Sequence, residues 1–78
     1  GGGPGVKGAA QNLFRQAVAA LLNAAHVSVD YALTSSQIIT QVNTALASNN
    51  AKTIEALKNT LDKLNNAGGG IDAQGRPI

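Results

Sequence analysis

Apolar side chains return at three- and four-residue steps through most of this chain, the period of a helix with a buried side. In AAQNLFRQAVAALLNAAH the pattern is carried by Leu13, Phe14, Ala17, Val18, Leu21, Leu22 and Ala25. Glycine and proline are absent from that stretch, and Ala, Leu and Gln are good helix formers. The apolar positions cover more than half of the helix circumference, which predicts burial on more than one side. Ala19, Ala20 and Ala24 leave room for the backbone of another helix, and we expect them in an assembly interface. His26 falls in the last turn, where a cation suits the helix dipole.

VSVDYALTS then breaks the period. Val27, Val29 and Tyr31 alternate with Ser28 and Asp30, as in a short extended connection. Thr34 stands three residues before Gln37, the spacing of a capping box. A second helix is predicted over 35–48, with Ile38, Ile39, Val42, Ala45 and Leu46 as its buried stripe. Asn49 and Asn50 end it, and the side chain of Asn50 is placed to cap the next helix. So short a joint predicts an antiparallel hairpin. A third helix follows over 51–67, with a narrow seam of Ile54, Leu57, Leu61 and Leu64. Lys58 and Asp62 form one i,i+4 pair, and Gly68 suits the left-handed position after a helix.

The fold class is therefore all-α, a small three-helix bundle over 9–68. Leu21, Ile38, Val42, Leu57 and Leu61 are expected at its centre. GGGPGVKG, residues 1–8, reads as a Gly-rich leader, and residues 69–78 as an extended or turn-forming tail. Each helix alone would be marginal in water, so shared apolar burial has to hold them together.

Composition narrows what such a bundle does. There is no Cys and one His, which excludes a disulfide, a thiolate metal site and a multi-histidine site. No cofactor is expected. Only 13% of residues are charged, against about 25% in typical soluble domains. The basic residues Lys7, Arg15, Lys52, Lys58, Lys63 and Arg76 are scattered, and Phe14 and Tyr31 are the only aromatics. Nucleic-acid binding calls for a basic stripe with stacking rings, so we expect none. No apolar run reaches the length of a membrane span, and no secretory apolar core is visible. A weakly charged surface repels copies of itself little, and it equally suits an extracellular domain.

Three short stretches invite a chemical reading. His26, Asp30 and Tyr31 lie within six residues and could form an acid–base couple. No nucleophile accompanies them, and the simpler reading is a helix-terminal His26 with a local hydrogen bond. DAQG (72–75) lacks the ligand spacing of a calcium loop and fits a type I turn. GGGPG is followed by no Lys–Ser/Thr, so it is not a phosphate loop. Ile71 and Ile78 offer apolar anchors, Pro77 limits chain freedom and Arg76 offers donors. These four tail residues are expected to pack against other copies.

RQAVAALLNAAH, DYALT, ALASNNAKTIEALKN and LDKLNNAG together resemble a helical module of secreted bacterial and archaeal multidomain surface proteins. The resemblance spans about residues 13–69. In those proteins the module follows a Gly-Tyr-Trp-Lys-Asn-His segment, which this sequence lacks. They often have Pro where this chain has Val27 and Ala32, and Cys-Pro where it has Gly69 and Gly70. The resemblance implies an extracellular or cell-surface setting and a modular architecture, and it brings no activity with it. The expectation is a non-enzymatic, extracellular structural subunit that assembles with copies of itself through helical faces and tails. The alternative is a monomeric helical module that binds other surface proteins.

Overall fold

The computed structural model describes residues 4–26 and 31–67. They form three helices, α1 (Pro4–Ala25), α2 (Ser35–Ala47) and α3 (Ala51–Asn65), with no strand among the described residues. This is the all-α three-helix bundle that the periodicity predicts.

The second helix starts where expected. Thr34 Oγ1 accepts from the Gln37 N–H at 3.1 Å, and Gln37 Oε1 accepts from the Thr34 N–H at 2.9 Å. The two bonds satisfy backbone donors that the first turn leaves unpaired. At the other end the two asparagines divide the work. Asn49 takes φ 53°, a left-handed conformation that asparagine tolerates better than most residues. Asn50 returns to extended backbone, and its Oδ1 accepts from the Thr53 N–H at 3.1 Å to cap α3.

α1 begins at Pro4, five residues before the expected start near Ala9. Residues 4–8 are thus part of the bundle. A proline in a first helical turn loses no hydrogen bond. Gly5 and Gly8 weaken the turn by about 1 kcal/mol each, and tertiary contact offsets this. Val6 packs on the core, and a Cβ at Gly5 would sit 3.8 Å from that of Ala51.

α2 and α3 are antiparallel through their short joint. α1 runs parallel to α3: Gly5 lies at Ala51, and Gln16 meets Asp62. α2 is therefore antiparallel to both. The core is built from Ala9, Leu13, Ala17 and Ala20 of α1, Ile38 and Ala45 of α2, and Ile54 and Leu61 of α3. Of the five residues expected at the centre, Ile38 and Leu61 are fully buried. Leu21, Val42 and Leu57 are partly buried and pack against the core from its edge. Alanines make up most of the α1 share of that core. No described helix is long and apolar enough to cross a membrane.

Candidate functional site

α1 has two contrasting long sides. One faces α3 and carries polar groups inside the bundle. Asn23 interrupts an apolar run, and Asn65 lies one turn beyond Leu61 on the seam of α3. Both are buried, at 3% and 1% exposure. The Asn65 carboxamide makes all four of the hydrogen bonds open to it. Its Nδ2 donates to the backbone carbonyl of Gln16 at 3.1 Å and to Gln16 Oε1 at 2.8 Å. Its Oδ1 accepts from Asn23 Nδ2 at 3.2 Å and from the Tyr31 hydroxyl at 2.7 Å. Gln16 Nε2 goes on to donate to Asp62 Oδ1 at 3.1 Å, which also accepts from Asn66 Nδ2 at 2.8 Å. Asp62, paired on sequence grounds with Lys58, is thus turned to Gln16 and Asn66. No buried side-chain polar atom among the described residues lacks a partner.

Burial pushes the Tyr31 hydroxyl up to about 12, so it stays protonated as a donor at neutral pH. Amides neither give nor take protons in that range. The network can therefore fix the axial position of α1 against α3 and tie Tyr31, just ahead of α2, to both. Tyr31, read as one corner of an acid–base couple, is committed to Asn65. His26 ends α1, where its backbone N–H donates to the Asn23 carbonyl at 3.2 Å. Asp30 lies outside the described residues. No group of three or more His, Cys, Asp or Glu is placed to hold a metal among the described residues.

The other long side of α1 is apolar and open. Phe14 is 68% exposed and Leu22 55%, with Val18 between them also exposed. Ile39 and Leu46 of α2 are exposed as well. This corrects the expectation that both sides of α1 are buried and that Ile39 and Leu46 belong to the buried stripe of α2. The helical repeat puts Phe14, Val18 and Leu22 in one row, and Ile39, Val42 and Leu46 in another. Phe14, Val42 and Leu46 line a common groove of about 670 Å³, with Lys7 and Arg15 also lining it. The two rows thus form one surface on the side of the α1–α2 pair away from α3.

The expected assembly residues fall differently. Ala19 and Ala20 are buried inside the chain's own fold, Ala20 in the core. Ala24 is partly buried against the same core. Their small side chains are used within the bundle, so the open apolar surface is built from other residues. Ile71, Arg76, Pro77 and Ile78 lie outside the described residues, as does the turn expected at 72–75. No family model, curated protein or solved structure matches the chain.

Proposed function

We propose that this chain is a non-catalytic structural module that self-associates through the outer face of α1 and α2, in an extracellular or cell-surface setting. The observation that carries the reading is the row Phe14, Val18, Leu22 left open beside Ile39 and Leu46. Burying a Val, Leu, Ile or Phe side chain fully is worth about 1.5–3 kcal/mol. These five are each roughly half covered, so closing the face would recover about 1 kcal/mol per side chain. Scattered exposed apolar residues are ordinary, but a contiguous patch marks an interaction surface. The low charge of the chain and the resemblance of its motifs to modules of surface proteins support the setting. The tail residues Ile71, Arg76, Pro77 and Ile78 would supply a second contact, extending pairs into a filament or larger oligomer.

Sedimentation velocity of the purified chain over a concentration series tests this. Mass rising with concentration, and falling back to monomer in Phe14→Ser/Leu22→Ser, supports self-association through this face. A monomer throughout the series refutes it. The second reading is a monomeric module that binds another surface protein. The groove beside Phe14, Val42 and Leu46 favours it, since a side chain from a partner helix would fill it. That reading requires the monomer.

A further inference from the structure

The groove beside Phe14 carries charge of one sign. Its volume of about 670 Å³ falls inside the range of about 300–1,000 Å³ typical of small-ligand sites. Val42 and Leu46 line it from α2, and Phe14 from α1. Lys7, Gln11 and Arg15 line it as well, and their four-residue spacing puts them in one row along α1. Among the described residues, none that lines the groove is acidic, and neither α1 nor α2 contains an acidic residue. We infer that this groove binds a single-chain alkyl carboxylate, its chain on Phe14, Val42 and Leu46 and its head over Gln11, between Lys7 and Arg15. The inference goes beyond the self-association proposed above and does not depend on it.

Charge and reach select the head group. Residues four apart on a helix have Cβ atoms about 5–6 Å from each other. Gln11 therefore has a long cationic side chain one turn to either side, and both can converge on an anion held over it. The Arg15 guanidinium presents a planar fork that matches a carboxylate. Lys7 adds a second cation, and the Gln11 amide can donate a neutral hydrogen bond. An ammonium head would meet two like charges there, and a hydroxyl head would leave both cations unneutralised.

Size selects a small ligand. From Lys7 to Arg15 the groove runs about 12 Å, between helices of a kind that pack with axes about 8–10 Å apart. That footprint is well below the surface of about 800 Å² per partner that a standard protein complex buries. One alkyl chain needs no more. A methylene buried fully is worth about fourfold in Kd, and Phe14 and Leu46 both have exposed surface left to cover it. A filled groove would also withdraw Phe14 and Leu46 from any second copy, so ligand and self-association would compete.

The test is an NMR titration of the isotope-labelled full chain at neutral pH, dilute enough to be monomeric in sedimentation, with decanoate below its micelle-forming concentration. Decanol and decyltrimethylammonium carry the same chain on a neutral and a cationic head. Decanoate should move the amide signals of Gln11, Phe14, Arg15, Val42 and Leu46, and should bind about tenfold or more tighter than either. Octanoate, two methylenes shorter, should bind about four- to fifteenfold weaker than decanoate. Lys7→Gln/Arg15→Gln should weaken decanoate about tenfold. Both side chains are exposed, and a thermal melt confirms that the variant folds. Decanol or decyltrimethylammonium binding as tightly as decanoate overturns the inference. So does an undiminished affinity in the double variant, a set of shifts centred on Val18 and Leu22 in place of the groove, or no binding up to about 1 mM. Each of these results leaves self-association to its own sedimentation test, so the two readings fail separately.

Discussion

The two long sides of α1 are finished in opposite ways. Toward α3 the helix buries Asn23, half-buries Gln16, and gives both hydrogen-bond partners. Away from α3 it leaves Phe14, Val18 and Leu22 in water. A simple inside–outside rule would exchange them. A buried amide costs little once its partners are present, and it costs about 1–3 kcal/mol when they are missing. An exposed Leu costs nothing unless a competing surface would have covered it. The polar seam therefore defines one arrangement of α1 on α3, whereas the apolar face defines an opening.

Substitutions at the two sides should behave as differently as the sides look. Leu61→Ala empties a fully buried site and should cost about 2–5 kcal/mol. Leu22→Ala, on the open face, should cost less than about 1 kcal/mol. Equal losses in urea denaturation of the monomer would mean that the open face is buried in solution. Asn65→Ala comes next. It removes the hub and strands Asn23, Gln16 and Tyr31, so about 2–3 kcal/mol should go. A value near zero would show that water replaces the amide and that the seam is not sealed.

Tyr31→Phe is milder at neutral pH, about 1 kcal/mol for one hydrogen bond, and its signature lies in alkali. Folding raises the hydroxyl from its ordinary 10.0 to about 12. The folded state thus holds that proton more tightly. The stability it contributes is complete below about pH 10 and is lost as pH rises toward about 12. Phe has nothing to titrate, so the gap between wild type and variant should narrow across that window. Parallel stability curves would disprove the burial of Tyr31 against Asn65. The smallest effect is a gain. Gly8 is helical and a Cβ there meets nothing within 4 Å. Gly8→Ala should raise stability by about 0.5–1 kcal/mol, whereas a loss would place residues 4–8 outside the helix in solution.

How much of this could be read from the chain varies with how local the cause is. The starts of α2 and α3 were legible, because Thr34 with Gln37 and Asn50 with Thr53 act over three residues. The α3 seam was legible for Ile54 and Leu61, which obey the helical repeat. Residues 4–8 read as a leader because Gly and Pro dominate them, while the contacts that make them helical come from Ala51 and the core. The polar seam does leave a signal in the sequence. Asn65 falls four residues after Leu61, on the buried line of α3, and Asn23 sits inside an apolar run. Either position predicts a buried amide in need of a partner, but not that the partners are each other. The exposure of Phe14 and Leu22 left no signal at all. Periodicity marks an apolar side and is silent about which neighbour, if any, lies on it.

The parallel course of α1 and α3 also has a mechanical side. Pro4 and Ala67 stand at opposite ends of the bundle. Tension applied between them would slide α1 along α3 instead of peeling the helices apart. The bonds from Asn65 to Gln16 and Asn23 would then be strained together, and cooperative rupture resists pulling better than sequential rupture. Pulled in single-molecule tethers by these two points, the wild-type bundle should yield at a higher force than Asn65→Ala, and it should give way in one step. A module strung in line with others would carry load along its length, with an amide-rich seam as its mechanical clamp.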